Sequence, residues 1–204
     1  MRTRSAAIGL PALTVLIGCG GDRAIGRASE FVRAAQSVRI HAVDKESGPS
    51  GRRIQIACPD KVRIEADSSS GPLEIIAIGN TVVARTGDAG WIKAPMSFVN
   101  APAVCVGSSW AEGRKDLGTV LSEMTRLVVS EVMIDPRQVN GVQCQDWEAR
   151  ERGPDPGGKK PRIRLCLAVD DQRPMELGLP DGTRWVFSDW NSPMDISLPT
   201  DGTE

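Results

Sequence analysis

From residue 38 onward the chain alternates. Val38, Ile40 and Ala42 are separated by Arg39 and His41, Ile54 and Ile56 flank Gln55, and Val62 and Ile64 flank Arg63. A period of two predicts half-buried strands. Residues 73–78 form a denser apolar run, Gly79-Asn80 is a hairpin signal, and residues 81–85 return before Gly87-Asp88-Ala89-Gly90 and Trp91. Pro95, Pro102, Gly107 and Gly113 predict a long irregular crossing over 95–113. After Pro136 the strand pattern resumes at 141–149 and 162–169, then at 175–179 and 184–190 around Pro180-Asp181-Gly182, with a last short strand at 194–198.

Two segments carry helical spacing instead. Phe31, Ala34, Ala35 and Val38 predict a short helix over 30–37 capped by Ser29, after a polar stretch at 22–27. Leu117, Val120, Leu121, Met124, Leu127 and Val128 share one face of a helix predicted over 114–130, with Glu123 and Arg126 off that face. The expected fold is therefore α+β, with roughly nine to eleven strands and two principal helices, one of which must bury its apolar stripe against the sheet. Links too short for crossovers make the sheet antiparallel.

The N-terminus has a different character. Arg2 and Arg4 precede an apolar run at 8–17, which falls short of the roughly 20 residues a spanning helix needs and reads as an export leader. Leu16-Ile17-Gly18-Cys19 resembles the lipobox of bacterial lipoproteins. The resemblance implies cleavage before Cys19, a diacylglyceryl group on its thiol and acylation of the new amino terminus. Two or more chains, at about 0.8 kcal/mol per buried methylene, hold a protein on a membrane where one binds marginally. The expected division is a leader at 1–18, a lipidated tether at 19–27, one domain at 28–199 and a disordered tail at 200–204. Gly20 and Gly21 follow Cys19 with no adjacent Asp, which favours the periplasmic face of the outer membrane in bacteria that sort by that position.

Charge narrows the partners. Loss of Arg2 and Arg4 from 25 basic side chains leaves 23 against 26 acidic ones, so no nucleic-acid footprint is expected. With Cys19 lipidated, Cys58, Cys105, Cys144 and Cys166 remain, an even number that in an exported chain argues for two disulfides with three connectivities open. Cys144 with Cys166 is favoured, because they sit in strands on either side of one turn, leaving Cys58 with Cys105. Setting Cys144 opposite Cys166 would place Gln145 opposite Leu165 and Trp147 opposite Ile163. No C-x-x-C occurs, so neither a zinc site nor any other metal or cofactor is expected.

Catalysis is not expected either. His41 is the sole histidine, and the chain has no G-x-S-x-G, H-E-x-x-H, P-loop or G-x-G-x-x-G. Asp170-Asp171 reads as a turn, and the five tryptophans as core or edge cover. The cluster of Lys159, Lys160, Arg162 and Arg164 reads equally as a contact for anionic lipid heads or as a solvated edge.

Several stretches share a pattern. Cys58-Pro59-Asp60-Lys61-Val62-Arg63, the hairpin of residues 76–85 followed by Gly90-Trp91-Ile92-Lys93-Ala94-Pro95, and the later runs 141–147, 173–175 and 188–193 resemble the periplasmic lipoprotein carriers of the Lol system and their mycobacterial relatives of the LppX and LprG type. The resemblance implies a strongly curved, incomplete β-barrel wrapped around helices, with an apolar cleft that accepts acyl chains. On that reading Leu117, Leu121, Met124 and Val128 line the helix side of the cleft, and Ile54, Ile56, Ile76 and Ile78 the sheet side. The expected protein is a monomeric, membrane-anchored carrier or chaperone of a lipid or lipidated ligand. The alternative is a protein-interaction or envelope-stress sensing module on the same fold, with the cleft filled by side chains.

Overall fold

The computed structural model describes residues 20–43, 51–105, 108–111, 113–124, 128–132, 136–150 and 162–200. It opens on α1 (Gly20–Ala34), followed by β1 (Ser37–Val43), β2 (Arg52–Ala57), β3 (Lys61–Ser68), β4 (Gly71–Ile78), β5 (Thr81–Thr86) and β6 (Ile92–Lys93). The expected crossing comes next, carrying two 3₁₀ turns, Met96–Phe98 and Ser109–Ala111. Then follow α2 (Leu117–Met124), β7 (Val128–Val132), β8 (Arg137–Val139), β9 (Val142–Arg150), β10 (Arg162–Ala168), β11 (Pro174–Gly178) and β12 (Arg184–Ser188).

All twelve strands belong to one antiparallel sheet in the order β6-β5-β4-β3-β2-β1-β12-β11-β10-β9-β7, with β8 also on β9. β7 pairs with residues 147–150 of β9 and β8 with residues 142–144, so the two are pieces of one broken edge strand. The sheet does not close on itself, because β6 and the β7/β8 pieces are its two edges. β1 and β12, from opposite ends of the chain, pair in its middle, with Ile40 opposite Phe187. The count exceeds expectation through the short pieces β6 and β8. The strand expected at 194–198 is absent; Ile196 instead buries against Ile76 and Val83 on the outer face.

α1 starts earlier than the sequence suggests. Ala24, Ile25, Ala28 and Val32 recur at helical spacing and are all buried in the main core. Residues 20–27, expected as a tether, are thus part of the domain. Ser29 is no cap: it lies mid-helix and its hydroxyl donates to the Gly118 carbonyl at 2.7 Å, a buried link between α1 and α2. α2 is shorter than expected. Asp116 caps it, one carboxylate oxygen accepting the Thr119 N–H at 2.9 Å and the other its hydroxyl at 2.6 Å. The helix is described as far as Met124, and Val128, expected on its stripe, belongs to β7 opposite Arg150 of β9.

Both disulfides have the expected partners, Cys58 with Cys105 and Cys144 with Cys166, each with Cα atoms 5.6 Å apart. The β9–β10 register differs from expectation by two residues. Cys144 lies opposite Ala168 and Cys166 opposite Asp146, so the bridge runs diagonally, while Trp147 faces Leu165. Cys144 and Cys166 sit on the outer face with Val139, Ala168 and Met175, away from the inner-face Leu165 and Leu167. Gln145 is half-buried opposite Leu167 and Gln143 is exposed.

Candidate ligand-binding interior

The inner face of the sheet, both helices and the crossing share one apolar cluster. Ile54 and Ile56 of β2 are buried in it, as are Leu117, Leu121 and Met124 of α2, with no more than 3% of any of these residues exposed. Five of the eight residues expected on the two walls are thus brought together. Ile76 and Ile78 are not among them. In β4 the residues that face the helices are Leu73, Ile75 and Ala77, while Ile76 and Ile78 pack on the outer face around Val83 and Ile196. The side chain of Val128 and the whole of Cys19 lie outside the described residues.

The crossing is stitched over one end of this interior. Cys105 is bonded to Cys58 at the β2–β3 turn. Ser108 donates its hydroxyl to the Pro59 carbonyl at 2.6 Å, and Ser109 donates to the Gly79 carbonyl at 2.8 Å. Gly79 itself turns the β4–β5 hairpin at φ 58°, a left-handed conformation that suits glycine. On the far side Arg114 donates to the carbonyls of Ala101 (2.8 Å) and Val99 (2.9 Å). The Leu117 N–H donates to the Ala103 carbonyl at 2.6 Å. These contacts place Trp110, 2% exposed, inside the cluster. Of the other tryptophans, Trp147 is buried there, Trp185 and Trp190 are partly buried against it, and Trp91 packs against the outer-face group.

Two polar atoms stand out in this apolar space. The indole N–H groups of Trp110 and Trp147 are buried without a hydrogen-bond partner among the described residues. Such a donor costs roughly 1–3 kcal/mol relative to a satisfied one. The sequence reads the tryptophans as core or edge cover and carries no signal for which indole N–H is left unpaired, since that depends on tertiary neighbours. Where the crossing meets the sheet, a hollow of about 200 Å³ opens beside Ile54, Pro102 and Trp185, with Arg52, Arg114 and Lys115 also lining it.

The outer face is chemically distinct. Arg53, Glu65, Arg63, Glu74 and Arg85 form a continuous ladder of ion pairs across β2 to β5, with contacts of 2.6–3.2 Å. Arg85 also lies over the Trp91 ring at 4.8 Å. At the other end of the sheet Arg137 bridges Asp146 and Glu176, and the hydrogen bond it donates to Asp146, foremost, holds its guanidinium still more firmly protonated. Arg162 and Arg164 of the basic cluster both meet Glu148; Lys159 and Lys160 lie outside the described residues. His41 is exposed on β1 opposite Arg53 and Val186. Asp171 sits in a turn, paired with Arg173 at 2.6 Å.

This arrangement has close counterparts among solved structures. LprF from Mycobacterium bovis matches with a TM-score of 0.64 at 11% identity, over 88% of this chain and 96% of that one. The chain has the LprF fold. The Mycobacterium tuberculosis lipoprotein LppX shares it, with a TM-score of 0.59 at 13% identity over 87% of this chain and 98% of that one. No family model matches the sequence, and no curated protein matches it. At such identities the likeness is one of fold, and the chemistry of this LprF-like interior has to come from its own residues. No described helix is long and apolar enough to cross a membrane.

Proposed function

We propose that the protein is a non-enzymatic envelope lipoprotein, anchored through Cys19, that binds an acyl chain between its sheet and α2 as a carrier or chaperone. The observation that carries this reading is the interior itself: an apolar wall containing two unpartnered indole donors. A hydrocarbon tail satisfies the wall, and an ester or amide carbonyl satisfies an indole N–H. The lipobox-like Leu16-Ile17-Gly18-Cys19 and the shared fold with LprF and LppX point the same way. The periplasmic face of the outer membrane is the expected location.

Entry of a ligand on this reading displaces α2 from the wall. Lifting three buried side chains such as Leu117, Leu121 and Met124 costs about 5–9 kcal/mol, and burial of ten or so methylenes returns about 8 kcal/mol. The exchange is near balance, as reversible carriage requires. A second reading follows from the tight burial of the same three residues: the interior is permanently filled and the domain works through a protein partner.

Mass spectrometry of the purified protein under native conditions, with thermal shift in short-chain phosphatidylglycerol, separates the two. Retained lipid and a rise in Tm are expected for the carrier. A protein free of lipid and indifferent to phospholipid refutes it in favour of the filled module. Cys19→Ser is expected to release the protein from the membrane fraction.

A further inference from the structure

A hollow of about 480 Å³ lies outside the interior, at the end of the sheet where α1, the β8–β9 turn, the β10–β11 turn and the end of β12 converge. We propose that it is a binding site for a neutral carbohydrate. Its apolar side is built on Trp190, which is held in three ways. The indole N–H donates to the Pro174 carbonyl at 2.9 Å, the ring stacks on Phe187 at 5.5 Å, and Phe31 meets it edge-on at 5.3 Å. Trp190 and Phe31 remain partly exposed. A fixed, half-open aromatic surface suits the C–H faces of a sugar ring, which need an ordered apolar platform and gain little from a mobile one.

The polar side offers hydrogen bonds in both senses. The Asn140 side-chain amide makes no hydrogen bond among the described residues. Asn191 uses its Oδ1 to accept the Gln36 N–H at 2.7 Å, which leaves its NH₂ group available. Arg173 commits Nη1 to Asp171 and keeps Nη2 and Nε. Asp171 and Asp189 supply acceptors. The charges cancel locally, Arg173 against Asp171 and Arg39 against Asp189 at 3.0 Å. A lone anion or cation finds no net attraction there, whereas a polyhydroxylated neutral ligand finds donors, acceptors and a ring to stack on.

The backbone singles out the same place. Four described non-glycine residues have left-handed φ: Asn140 (51°), Gln172 (61°), Asp189 (51°) and Asn191 (58°). Three of them line this hollow, and Gln172 lies between its lining residues Asp171 and Arg173. Asn and Asp suit such left-handed turn positions, and these tight turns fix the rim of the hollow.

The test uses the full chain purified from expressing cells in a zwitterionic detergent, titrated by calorimetry with trehalose, maltose, cellobiose and N,N′-diacetylchitobiose. At least one disaccharide is expected to bind and to perturb the Trp190 indole resonance. Asn140→Gly removes the amide while tolerating the left-handed φ and breaks no hydrogen bond among the described residues, and Arg173→Gln preserves a planar donor. Each is expected to weaken binding about fivefold, the worth of one hydrogen bond. Absence of binding for all four sugars at about 10 mM overturns the proposal. So does binding that both variants leave unchanged.

Discussion

Truncation of Leu121 to alanine probes the seam between helix and sheet most directly. The residue is fully buried in the main cluster, on the face of α2 that meets the inner wall. Three carbon atoms are removed, worth about 2.4 kcal/mol at about 0.8 kcal/mol each, and the incompletely collapsed space adds to this. A loss of about 3 kcal/mol is expected in urea unfolding, with a fall in Tm of about 6–12 °C for a domain of this size. Glu123→Ala, on the same helix but in an exposed pair with Lys115, is expected to change stability by no more than about 0.5 kcal/mol. The carrier reading adds a second expectation. The vacated volume lies where the acyl chain is placed, so short-chain phosphatidylglycerol should raise the Tm of Leu121→Ala by more than it raises that of the parent protein. A loss below about 1 kcal/mol would refute the packing of α2 on the wall. A full loss with no lipid rescue would refute the placement of the ligand.

Other perturbations test the supports of the interior. Ser29→Ala removes the buried hydrogen bond to the Gly118 carbonyl and is expected to cost about 1–2 kcal/mol by equilibrium unfolding. Replacing both Cys58 and Cys105 by alanine opens a link between residues 47 apart in sequence and should cost about 4 kcal/mol on loop entropy, measured by denaturant titration. The Cys144–Cys166 pair, with a separation of 22, should cost about 3 kcal/mol in the same assay. Arg137→Met leaves Asp146 and Glu176 facing each other without their shared cation. Its exposure limits the expected cost to about 1–2 kcal/mol, and that cost should shrink as salt rises.

The sequence made the architecture legible wherever apolar and polar residues alternate. Ile54, Ile56, Val62 and Ile64 declare both strand and inner face by parity alone. In 73–78 every other clue is missing, because Ile75, Ile76, Ala77 and Ile78 are all apolar, and only the structure tells which of them face the helices. The end of α2 was hidden for a related reason. Leu127 and Val128 continue a helical period, yet the β-branched Val128, Val129 and Val132 lie in a strand paired to β9, so strand pairing prevailed over local periodicity. Ser29 looked like a cap because serine favours that position, whereas its hydroxyl serves a carbonyl 89 residues away. The disulfide partners were legible from position in the chain. Their diagonal geometry was not, since a two-residue slip preserves every face assignment.

The early start of α1 bears on reach. Gly20, its first residue, directly follows Cys19, and Ala24 and Ile25 already lie in the core. A residue of extended chain spans at most about 3.6 Å. If the proposed acylation at Cys19 holds, the protein would be moored with little slack, its folded body against the lipid headgroups, and could not swing across the envelope with cargo. Any delivery to a distant membrane would need a separate shuttle that comes to it.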